Sequence, residues 1–164
     1  MMVWIYCMIL AELIAVSWID IKIKKISNIW PLVNLVLGIA LHIFYSDYYP
    51  LEWASLFFPV GWILAGFLLF LLGIMGAGDS KFLASLFLLI PLDHQYLVLE
   101  KLLYSTVVVG LVMLTFKIAR DFNKIKAYAF STHWQGFKES IRSSFSFAPV
   151  ILLAWIMLGV EKWL

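Results

Sequence analysis

Residues 54–75 read A54-S-L-F-F-P-V-G-W-I-L-A-G-F-L-L-F-L-L-G-I-M75, and G76-A-G-D-S-K81 follows at once. The first stretch carries no charge over 22 positions. At 1.5 Å per residue it is long enough to cross a hydrocarbon core about 30 Å thick. The second sets two glycines, an aspartate and a lysine at the end of that run, where a carboxylate is costly to accommodate. The rest of the chain has the same character: 64% of 164 residues are hydrophobic and 13% charged, with a mean hydropathy of +0.98. A soluble domain of this length needs a far more charged surface. The prediction is therefore an all-α, polytopic membrane helical bundle.

Working outward from residues 54–75, the apolar runs predict about six transmembrane helices: 3–19, 29–45, 54–75, a short one from about 80 to 90, 97–118, and 145–160. The fourth, with a dozen or so residues, falls short of the core and must be tilted, thin the bilayer, or be shielded by its neighbours. No basic residue precedes the first run and no small-residue cleavage pattern ends it, so it reads as a retained helix. Neither a linker nor a repeat divides the chain, and residues 1–164 read as a single transmembrane domain.

Basic residues set the orientation. Lys22, Lys24 and Lys25 follow the first run, Lys81 the third, and Lys117, Arg120, Lys124, Lys126, Lys138 and Arg142 the fifth, which puts ten of the twelve on one side. The positive-inside rule makes those connections cytoplasmic and both termini external. The net charge of +2 is thus a topology signal and gives no reason to expect nucleic acid. Residues 119–144 interleave cations with aromatics, which suits either a segment on the inner leaflet or a solvated loop. Cys7, a single cysteine, excludes an intrachain disulfide and a cysteine-cluster metal site, and it reads as a packing residue.

Seven of the ten acids fall in loops or at interfaces. Glu12, Asp20 and Asp79 do not, and an ionisable group at membrane depth is by default a functional candidate. Asp20 and Asp79 end up at one cytoplasmic level on different helices. Two carboxylates that meet there cannot both ionise freely, so the pair holds a shared proton. Such a dyad supplies a base for water and an acid for a departing nitrogen, without metal or cofactor. Gly76 and Gly78 would free the backbone or let another chain approach Asp79. The plainer reading makes a tight turn of them, with Asp79 as the N-cap of the fourth helix. Nucleotide motifs fail here: Asp79 stands where a P-loop needs lysine, and Lys81 where a dinucleotide fingerprint needs glycine.

Taken together, G76-A-G-D-S-K81, D20-I-K-I-K-K-I-S-N28 and F145-S-F-A-P-V-I-L-L-A154 resemble the type IV prepilin peptidases, membrane aspartic proteases with a G-x-G-D motif. The resemblance implies cleavage of the short basic leader from a prepilin at the cytoplasmic face of the inner membrane. It also implies Asp20 and Asp79 as catalytic residues, prepilins and pilus assembly machinery as partners, and no cofactor. With nothing before the first helix and Cys7 alone, the chain resembles the short form associated with tight-adherence (Flp-type) pili, for which no methyltransferase region or activity is expected. Ile26-Ser27-Asn28 lacks the proline common in the family, and Pro149 lacks a nearby glycine.

Among the remaining polar residues, Glu12 lies two turns before Asp20 and about 80° around the helix, so it either lines the same cavity or bonds a neighbouring helix. Asn34 and His42 read as interhelical hydrogen-bond partners. Asn28 belongs to the loop after Asp20, and Lys81, two residues after Asp79, would tune that acid or hold a lipid phosphate. The three histidines have no metal-site spacing. The alternative function is a non-catalytic scaffold or small transporter subunit, in which the aspartates pair with nearby lysines.

Overall fold

The computed structural model describes residues 2–72, 75–130 and 146–163. Among these it contains six helices: α1 (Val3–Ile23), α2 (Ile29–Phe44), α3 (Trp53–Leu71), α4 (Ala77–Leu88), α5 (Leu92–Phe130) and α6 (Ala148–Trp163). No strand is present among the described residues. Three stretches, Val3–Ile23, Trp53–Leu71 and Leu92–Met113, are long and apolar enough to cross a membrane. The protein is an all-helical membrane bundle.

On α1 the buried positions Ile5, Ile9, Leu13, Val16 and Asp20 recur every three or four residues, so one stripe turns inward and the acid extends it by a turn. That stripe packs on α6. There Tyr6 and Trp155 stack with ring centroids 5.4 Å apart. Each side chain also donates to the other's backbone: Tyr6 Oη to Trp155 O and Trp155 Nε1 to Tyr6 O, both at 3.2 Å. α6 packs in turn on α5, and Lys101 pairs with Glu161 at that seam.

The short α4 is the central element. Ser80 and every residue from Phe82 to Phe87 are buried, with α2 and α3 packed along it. Shielding by neighbours is thus how a helix of 12 residues, about 18 Å long, sits in the bundle. α3 comes so close that a Cβ on Gly66 would collide with Ser80, whose hydroxyl donates to Trp62 O at 3.1 Å.

At its C-terminal end α4 leaves orphan carbonyls that lipid cannot satisfy. Tyr49 Oη donates to Leu89 O at 3.1 Å. Gln95 Nε2 lies within bonding distance of Phe87 O and Ile90 O, both at 3.1 Å, and of Ser55 O at 3.3 Å. Pro59, inside α3, has no N–H to give its i−4 carbonyl, which is Ser55. One buried glutamine therefore repairs α3 and caps α4.

Element ends differ from the sequence expectation most in α1, α3 and α5. α1 runs four residues past position 19, stopping where Lys24 turns left-handed at φ 54° and donates its N–H to Asp20 O. α3 ends at Leu71 instead of 75. α5 begins directly after Pro91 and continues to Phe130, so the expected loop or surface segment at 119–144 is helical in its first part. Its remainder, from 131, lies outside the described residues. Cys7 faces outward rather than packing.

Candidate functional site

The end of α1 and the starts of α2, α4 and α6 meet at one end of the bundle. The loop from Lys24 to Asn28 is drawn over the start of α4. A Cβ on Gly78 would lie 3.1 Å from Ile26 O, so over any larger residue the loop would have to give way by a few tenths of an ångström. Neither glycine has a positive φ, and Gly76 is ordinary extended backbone at φ −75°, ψ 146°. Close approach, not unusual backbone angles, is what the two glycines provide.

Gly76 is the N-cap of α4 and Asp79 its third residue, which corrects the reading of Asp79 as the cap itself. The Asp79 carboxylate reaches back and accepts the Gly76 N–H at 3.2 Å, one arm of a capping box. Asp79 lies outside the three long spans, half-buried in the first turn of α4. Burial and the neighbouring Asp20 carboxylate push it from 3.8 up to about 6, against the Gly76 hydrogen bond.

Asp20 is 3% exposed. Its Oδ2 accepts the Ala148 N–H at 3.2 Å, and its carbonyl accepts from Ser146 Oγ at 3.1 Å. The first turn of α6 is thereby held against the last turn of α1, with its amide end directed at the carboxylate. Ser146 went unnoticed in the sequence. Its position two residues before Ala148-Pro149, a proline being suited to a first helical turn, was the available signal.

A cavity of about 660 Å³ opens at this end, lined by Asp79, Gly76, Gly78, Lys24, Lys25 and Lys81. Asn28 lines it too, its side chain making no capping bond to α2. Asp20 lies behind the lining, near enough for its charge to act on Asp79. Five of the predicted residues, Asn28, Gly76, Gly78, Asp79 and Lys81, thus share one cavity with Asp20 beside it.

Glu12 is not part of it. It faces Asn34 of α2 inside the bundle, where Glu12 Oε1 and both amide atoms of Asn34 lack a hydrogen bond of ordinary geometry. His42, expected to bond between helices, instead meets Gly38 O of its own helix at 2.8 Å. Among the described residues no group of three or more His, Cys, Asp or Glu is arranged to hold a metal.

Chemically, the site offers two coupled carboxylates, one of them raised and opening on a cavity, beneath a rim of lysines. No curated protein and no solved structure matches the chain. The model of the type IV leader peptidase family matches residues 7–161, nearly the whole length. The chain accordingly belongs to the type IV leader peptidase family and is a membrane peptidase.

Proposed function

We propose that this peptidase removes the short basic leader of Flp-like prepilins at the cytoplasmic face of the inner membrane, with Asp20 and Asp79 as an aspartic dyad. The observation that carries the reading is the coupling of two acids beside an open cavity, with Asp79 raised by burial and by its partner. In this mechanism Asp79 holds the shared proton and Asp20 is the base. Water adds to the scissile carbonyl carbon as Asp20 takes its proton. Asp79 then gives its proton to the amide nitrogen, and the C–N bond breaks. Proton exchange with solvent restores the pair. The topology belonging to this reading has six spans, external termini, and the lysine-rimmed cavity in the cytoplasm.

A second reading is favoured by the fact that both carboxylates accept backbone N–H groups at helix starts. In it the acids only staple helices, and the peptidase draws its chemistry from other groups.

Membranes containing the chain and a prepilin decide between the two. Leader removal at an unchanged rate in the presence of a chelator is expected of the dyad. Loss of leader removal on adding the chelator, with the chain folded and inserted, would favour the staple reading and point to a metal as the source of the chemistry.

A further inference from the structure

A second concavity of about 440 Å³ adjoins the first. Its floor is α4, contributing Ala84, Ser85 and Leu88; one wall is α2, with Leu32 and Leu35, and the other is α3, with Pro59 and Ile63. On α4 the lining positions 81, 84, 85 and 88 follow helical i, i+3, i+4, i+7 spacing, positions 28, 31, 32 and 35 do the same from the N-cap of α2 onward, and α3 adds 56, 59 and 63. Three helices thus present matched stripes about 10 Å long, the length of two turns.

Two observations say what fits there. Asn28 and Lys81 line both this groove and the cavity that holds Asp79, so one body can lie in both at once. The groove is also dry in character. Ser85, the polar group of the floor, is 8% exposed and already donates to Phe82 O at 2.9 Å. Leu32, Leu35 and Ile63, at 60%, 45% and 54% exposure, offer it open apolar surface. An occupant has to be apolar, helical in its spacing, and continuous with a polypeptide that reaches Asp79.

We infer that this groove receives the first two turns of the substrate's own apolar helix, immediately beyond the scissile bond, in the helix-in-groove manner. The inference rests on the peptidase reading above. It adds the place where specificity is set: α2, α3 and α4 read the apolar segment while the adjoining cavity takes the peptide bond.

The test uses Leu35→Trp combined with Ile63→Trp, both at exposed positions, and Val107→Trp on the outward face of α5 as control. Two substrates are compared in proteoliposomes: a full prepilin, and a peptide that spans the leader and scissile bond but stops before the apolar segment. The groove variant is expected to raise KM at least about tenfold for the prepilin, with kcat kept and the short peptide unaffected. A second readout does not need turnover. With Cys7→Ser as background, Leu35→Cys is expected to crosslink to a cysteine in the first two apolar turns of the prepilin, and Leu103→Cys is not.

An unchanged KM together with no crosslink would overturn the assignment and leave the groove to lipid. So would an equal effect of Val107→Trp, or a loss of kcat on both substrates. If the unaltered chain cleaves neither substrate the peptidase reading fails, while the crosslink still decides whether an apolar helix docks here.

Discussion

Asparagine in place of either Asp20 or Asp79 is expected to lower leader cleavage by about a thousandfold or more, within the range for losing a positioned acid or base. The substitution is chosen for what it keeps. At position 20, an asparagine oxygen can still accept the Ala148 N–H that holds α6 to α1, whereas alanine would leave that helix start uncapped at a cost of about 0.5–2 kcal/mol. At position 79 an amide oxygen can likewise keep the Gly76 N–H occupied. Folded, inserted, inactive protein in both cases is the outcome a dyad requires. If either asparagine variant cleaves at the native rate, the chemistry lies elsewhere. Two acids acting as the proposed unit should make the double variant little worse than either single.

Acidity should govern both rate and stability through Asp79. In the proposed role of general acid it would work only when protonated, and it lies raised from 3.8 to about 6. Above about 6, cleavage is expected to fall as much as tenfold per pH unit. Below 3.8 the free chain is protonated at this residue as well, so folding meets no penalty there. As pH climbs from 3.8 to about 6 the unfolded chain gives up its proton before the folded one does, and stability drains away across that window. Above it, the charged carboxylate costs the fold on the order of 2–3 kcal/mol. Asp79→Asn removes the charge. The variant should therefore unfold later than the native protein at pH 8, and the two should converge near pH 4. A variant less stable at pH 8 than the native chain would contradict the assigned strain. Rate profiles and thermal unfolding in detergent read the two effects separately.

How much of this was legible in the sequence depends on the kind of signal. The bundle was, since runs such as residues 54–75 leave lipid as the only suitable solvent. Asp20 and Asp79 were also legible, as acids at the ends of apolar runs. The inward stripe on α1, positions 5, 9, 13, 16 and 20, lies in the spacing for anyone who continues it to the acid.

The length of α5 is not legible from polarity alone. Polarity beyond residue 118 marks where lipid would end, but no glycine or proline between 111 and 130 stops the helix, and it continues to Phe130. The work of Gly78 escaped for another reason. Its need comes from Ile26 O in a different loop, a tertiary contact that leaves no local pattern. Gln95 was invisible in the same way, because its partners Ser55 and Phe87 stand 40 and 8 residues away. The angle of Glu12 on the helix allows two roles, and its position opposite Asn34 puts it apart from the cavity.

The groove between α2 and α3 has exposed apolar walls, and in a membrane bundle such walls suit an opening sideways into lipid better than one toward water. A substrate arriving by that route searches a surface, not a volume. Its encounter rate then follows the number of prepilins per unit area of membrane. Diluting loaded vesicles with buffer should leave turnover untouched, whereas diluting them with empty lipid by fusion should slow it in proportion to the added area. For such a peptidase the meaningful Michaelis constant is a mole fraction in lipid, and crowding of unprocessed pilin in the membrane sets the pace of the reaction.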